Sequence, residues 1–121
     1  MKFNRFEDLE VWQLSRILVS NIYKTTQKKE FSRDFDLVSQ IKRASVSIML
    51  NISEGFERKS NKEFINFLNY SKGSCGEVRA ALYISLDLQY ITQQEFDVLT
   101  NNCITISKSL SGFISYLDKS K

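Results

Sequence analysis

The chain is expected to be all-α, an antiparallel up-down-up-down four-helix bundle, and three observations predict it. The 121 residues include no proline and only four glycines, too few breakers for the frequent turns of a sandwich or barrel. Apolar residues recur at helical spacing through four long segments. Two capping signals, Ser60-Asn61-Lys62-Glu63 and Thr92-Gln93-Gln94-Glu95, punctuate the second half. The length suits one domain over residues 1–121, and short connections make neighbouring helices antiparallel.

The first helix is predicted from Asp8 to Thr26, where Val11, Leu14, Leu18 and Ile22 keep helical spacing and Trp12, Val19 and Tyr23 widen the stripe. Lys28 to Asp34 reads as a charged connector. The second helix carries Leu37, Ile41, Ala44, Ile48 and Ile52, with Gly55 as its C-terminal stop. Ser60 opens a third helix of about 30 residues, roughly 45 Å long at 1.5 Å per residue. Its Val78, Leu82, Tyr83, Ile84, Leu86, Leu88 and Tyr90 surround the axis, a pattern that signals burial on more than one side. Gly73 and Gly76 each cost this helix roughly 1 kcal/mol relative to Ala. With Ser71, Ser74, Cys75, Ala80 and Ala81 they form a small-residue patch that admits a close helix or a bend.

The fourth helix opens at Thr92 and repeats Phe96, Leu99, Cys103, Ile106, Leu110, Phe113 and Leu117, the a/d ladder of a packed helix. Lys108 is its sole charge between Asp97 and Asp118. An all-round apolar third helix and a charge-poor fourth together predict a homo-oligomer, because packed interfaces deplete charge. Tyr83, Ile84, Leu86 and Tyr90 are the interface candidates.

Composition also excludes chemistries. Without histidine the chain has no Ser-His triad, no His-based zinc site and no His-activated cysteine. It shows no phosphate loop, dinucleotide fingerprint or metal-ligand spacing. A non-enzymatic protein with no cofactor and no metal is expected. Cys75 and Cys103 fall on apolar stripes and read as core residues of a protein kept reduced. No secretory apolar region opens the sequence and no run approaches the ~20 apolar residues of a membrane span. A cytoplasmic location and no membrane partner are expected.

Net charge is +3, and topology assigns each charge a height. The end holding the termini and the elbow over residues 52–60 balances its charges, while the other end, with Asp34, Asp36, Asp87, Glu95 and Asp97, is slightly acidic. The positive excess lies at mid-height, where Arg16, Lys42, Arg43, Lys72, Arg79 and Lys108 face only Glu77. Repeated around an oligomer, such a belt binds polyanions far better than one base does. Arg16, Lys42, Arg43, Lys72 and Arg79 are therefore candidate phosphate contacts to structured RNA or other nucleic acid. The aromatics do not interleave with bases as in a single-strand reader, so recognition should follow shape and backbone. Glu77 is expected to pair with Arg43 or with a base of a neighbouring chain, since a part-buried carboxylate without a partner is costly. In the alternative reading the belt engages a partner protein and the bundle is an interaction scaffold.

Three segments sharpen this picture: Gln40-Ile41-Lys42-Arg43-Ala44-Ser45-Val46-Ser47-Ile48, then Asn51-Ile52-Ser53-Glu54-Gly55-Phe56, then Ser60-Asn61-Lys62-Glu63-Phe64. Together with Phe6-Glu7-Asp8-Leu9-Glu10-Val11-Trp12, Gly73-Ser74 and Glu77, they closely resemble the four-helix bundle family encoded in 23S ribosomal RNA intervening sequences, also labelled S23 ribosomal protein. The resemblance covers nearly the whole chain. It implies an up-down bundle that assembles as a ring, a pentamer. A related branch comprises accessory proteins of diversity-generating retroelements, basic pentameric barrels that associate with nucleic acid and a reverse transcriptase. By that resemblance a reverse transcriptase is the protein partner of the scaffold reading. The sequence departs from the family pattern at Met49, where a proline is common, and at Gly76.

Overall fold

The computed structural model describes residues 3–120, and every regular element among them is helical. A 3-10 turn over Phe6–Asp8 leads into α1 (Glu10–Thr25), followed by α2 (Lys29–Ser32), α3 (Phe35–Phe56), α4 (Asn61–Asp87) and α5 (Gln93–Lys119). α3 packs on α4, α4 on α5, and α1 touches both α3 and α5. The apolar stripes meet in one core, with Leu18, Ile22, Ile41, Ile48, Ile52, Leu68, Leu82, Ile106 and Leu110 fully enclosed. No helix of the described residues is long and apolar enough to cross a membrane.

Side-chain bonds set the register. Ser71 Oγ donates to the Ile48 carbonyl at 2.9 Å and Ser74 Oγ meets Ser47 Oγ at 2.9 Å, while Gly55 lies against Phe64 and Phe67. As the α3 number falls, the α4 number rises, the order of an antiparallel pair. α1 and α3 are pinned likewise by Trp12, whose indole Nε1 donates to Ser53 Oγ at 2.9 Å. Buried hydroxyls require such partners, because an unsatisfied one costs about 1–3 kcal/mol. The serines therefore fix one register of otherwise interchangeable apolar stripes.

Both capping signals start helices where expected. Thr92 and Glu95 form a complete box: Glu95 N donates to Thr92 Oγ1 at 3.1 Å and Thr92 N to Glu95 Oε1 at 2.8 Å. Ser60 caps α4 by accepting from Glu63 N at 3.2 Å. There the Glu63 carboxylate bonds the Ser60 hydroxyl instead of its backbone.

Three expectations are corrected. Gly55 is not a stop: α3 continues to Phe56, and no glycine among the described residues has a positive φ. The glycine is required by proximity instead, since a Cβ at 55 would stand 2.7 Å from Phe67 Cβ and 2.8 Å from Phe64 Cδ1. The connector contains a helix of one turn, α2, whose Phe31 is buried and stacks on Tyr90 with ring centroids 5.2 Å apart. The third long helix is shorter than expected and ends at Asp87. Gln89 turns left-handed at φ 62°, Gln89 N donates to the Leu86 carbonyl, and Tyr90 N reaches back to Ser85. This is a Schellman closure without its usual glycine. α3 runs uninterrupted through Met49, and α4 through Gly73 and Gly76.

Cys75 and Cys103 are free and buried. Burial pushes both thiols up to about 12, against the weaker opposing field of Arg79 and Lys72 at Cys75. Because only the thiolate is a nucleophile, neither cysteine should react with a disulfide reagent at pH 8 in the native protein, and both should react in denaturant. Rapid native-state labelling contradicts this. Their folded pKa values exceed the 9.0 of the free thiol, so their contribution to stability is intact below pH 9 and is lost as the pH climbs toward 12.

Candidate nucleic-acid interface

Helical period and the bonds described above distribute the mid-height bases over three seams. Arg16 and Lys42 stand at the α1–α3 seam. The Arg16 guanidinium lies 6.0 Å from the Trp12 ring centre and Lys42 Nζ 4.6 Å from that of Tyr23. Arg43 stands at the α3–α4 seam, where with Gln40, Ala44, Ser47 and Glu77 it lines an open concavity. Lys72 stands at the α4–α5 seam and donates to Ser111 Oγ at 2.7 Å. Arg79 follows it by seven residues, two turns on the same face. The belt is thus real in height but divided around the axis.

Among the described residues the ion pairs leave these bases unengaged, and with them Lys24, Lys29, Lys59, Lys62 and Lys108. Ion pairs occupy the two ends of the molecule: Arg5–Asp8 at 3.3 Å, Arg58–Glu54 at 2.8 Å, Lys28–Glu95 at 2.6 Å and Arg33–Glu30 at 3.8 Å. Among the described residues none of Arg16, Lys42, Arg43, Lys72 and Arg79 has a carboxylate within 4.0 Å. The expected pair of Arg43 with Glu77 is not formed within the chain. Glu77 is exposed, so the desolvation cost that argued for a partner does not arise, and the two side chains merely share a concavity.

Residues 7–112 match the model of the 23S rRNA-intervening sequence protein family. The chain belongs to that family. A crystal structure of a protein of unknown function from the S23 ribosomal protein family of Bacteroides thetaiotaomicron VPI-5482 superposes with a TM-score of 0.79 at 28% identity, over 86% of this chain and 97% of that one. No curated protein matches the chain.

In this intervening-sequence protein the four interface candidates divide. Tyr83 is 53% and Ile84 48% exposed, free to meet another molecule. Leu86 and Tyr90 pack against the chain's own core, and the Tyr90 hydroxyl donates to Asp34 Oδ2 at 3.0 Å. That bond to the carboxylate, the first of several causes, raises the Tyr90 phenol above its ordinary value. Sequence reasoning missed Leu50 and Tyr70, both exposed. Neither falls on the apolar stripes of α3 and α4, so periodicity carries no signal for them. Phe35, 80% exposed, carries no pattern signal. Among the described residues no cluster of His, Cys, Asp or Glu stands ready to hold a metal ion.

Proposed function

We propose that this protein is a cytoplasmic, non-enzymatic homo-oligomer, a pentamer of antiparallel up-down-up-down four-helix bundles, that binds structured RNA by its phosphate backbone. The observation that carries this reading is the placement of five bases at mid-height, where Glu77 is the one acid, with no carboxylate within 4.0 Å of any of them, while the ion pairs among the described residues sit at the two ends. Unpaired cations held by rigid helices are available to phosphates, and each phosphate neutralised releases counterions. A ring repeats the set, and linked contacts multiply affinity. The antiparallel registers of α1 with α3, set by Trp12 with Ser53 and Tyr23 with Lys42, and of α3 with α4 support the bundle topology. Exposed Tyr70, Ile84 and Leu88 on α4 support self-association, since they are disposed to bury against another copy.

Filter binding with a hairpin RNA tests the reading. The variant with Arg16, Lys42, Arg43, Lys72 and Arg79 all replaced by Gln is expected to bind with a shallower salt dependence while keeping the wild-type oligomer mass, because among the described residues none of the five is tied into an ion pair. Equal slopes for variant and wild type count against it. An intact oligomer that binds no RNA at low salt instead favours the scaffold that engages a partner protein such as a reverse transcriptase.

A further inference from the structure

α4 presents two different surfaces. At about 100° per residue, Tyr70, Gly73, Glu77, Ala80, Ile84 and Leu88 share its outer face, whereas Lys72, Gly76, Arg79 and Tyr83 form a stripe turned toward α5. Contacts fix the stripe at both ends. Lys72 Nζ bonds Ser111 Oγ of α5 at 2.7 Å, and the Tyr83 ring meets Phe96 of α5 edge-on at 4.9 Å. Between them Arg79, exposed, follows Lys72 by seven residues and precedes Tyr83 by four, on the same helical stripe. Gly76 leaves the stripe open, for a Cβ there would meet nothing within 4 Å. Glu77 is turned to the α3 side, where it shares the concavity with Arg43. Facing the stripe, α5 has no acid between Asp97 and Asp118.

The geometry points to the α4–α5 seam as the RNA track: Lys72 and Arg79 hold consecutive stretches of a hairpin stem's phosphate backbone, and the exposed Tyr83 ring stacks the first unpaired base beyond it. This rests on the RNA-binding reading and names which of the three seams is used. Lys72 and Arg79 are separated by about 10 Å along the helix, close enough to meet phosphates of the same stem. Tyr83 lies one further turn along. Its hydroxyphenyl face offers the sequence-tolerant stacking that unpaired bases accept. The α1–α3 seam differs, because there Arg16 and Lys42 already lie over the rings of Trp12 and Tyr23.

The test uses the full-length protein, a hairpin RNA with 2-aminopurine at its first loop position, filter binding across a salt series, and oligomer mass for every variant. Lys72→Gln with Arg79→Gln should reduce the slope of log affinity against log salt by about 2 units for every subunit engaged, whereas Arg16→Gln with Lys42→Gln leaves it near wild type. Tyr83→Leu should weaken binding roughly tenfold and abolish quenching of the loop fluorophore, while Tyr83→Phe retains it. If the wild type binds but the Arg16 and Lys42 variant alone loses slope, the seam is wrong and the RNA-binding reading stands. Absence of wild-type binding overturns both. A change in mass on Tyr83→Leu assigns that ring to a subunit contact and overturns its stacking role.

Discussion

Gly55→Val is expected to destabilise the protein by about 3 kcal/mol, the upper range for overpacking a tight contact, and to lower its melting temperature by roughly 10 °C at this chain length. At Gly55 α3 approaches α4 closely. An added Cβ meets Phe67 Cβ at 2.7 Å, Phe64 Cδ1 at 2.8 Å and the Phe64 backbone oxygen at 3.3 Å, and two of these three atoms cannot swing away. Phe64 cannot rotate freely either, being edge-on to both Phe56 and Phe113. Gly73→Ala and Gly76→Ala should do the opposite, since nothing lies within 4 Å of either added Cβ. Each should gain up to about 1 kcal/mol from helix propensity. Thermal unfolding of the three variants checks the contrast. Equal effects at all three positions contradict the assignment of Gly55 to close packing.

Introducing carboxylates at Ile84 and Leu88 should convert the oligomer to a monomer of 14.1 kDa, measured by light scattering after size exclusion. The wild type should elute near five times that mass. Ile84 stands on the outer face of α4 and Leu88 at its C-cap, about half exposed at 48% and 51%. Replacing them by Asp therefore costs the isolated bundle little. In an assembly each change buries an uncompensated charge, which costs about 3–5 kcal/mol, and every 1.4 kcal/mol is tenfold in affinity. Circular dichroism should show an unchanged helix content. A variant that keeps the wild-type mass excludes the outer face of α4 from the subunit contact, and a wild type of 14.1 kDa excludes assembly altogether.

The sequence made legible what depends on local chemistry and missed what depends on contact. Thr92 and Ser60 start helices because their hydroxyls reach the third backbone N–H onward, a bond fixed by spacing alone. The ladder from Phe96 to Leu117 is buried except at Phe113, which stays partly buried among Phe3, Phe64 and Tyr116. Phe31 was illegible, because a helix of one turn is too short to show a period. Gln89 hid its left-handed turn, since the expected residue there is glycine. Gly55 looked like a stop because both a stop and a close approach call for a missing Cβ. In the candidate site, height along the bundle followed from topology, so the base-rich belt could be anticipated. Which seam each base occupies needed the contacts of Lys42 with Tyr23 and of Lys72 with Ser111.

The measurement that bears most directly on the account is the affinity of the wild-type oligomer for a hairpin RNA as a function of salt. With Lys72 and Arg79 of at least two subunits engaged, log affinity should fall against log salt with a slope of about −4 or steeper. Scrambling the stem sequence should leave both affinity and slope nearly unchanged. A slope near zero, or no binding at low salt by an oligomer of full mass, would contradict the assignment of the mid-height belt, and of Lys72 and Arg79 within it, to phosphate.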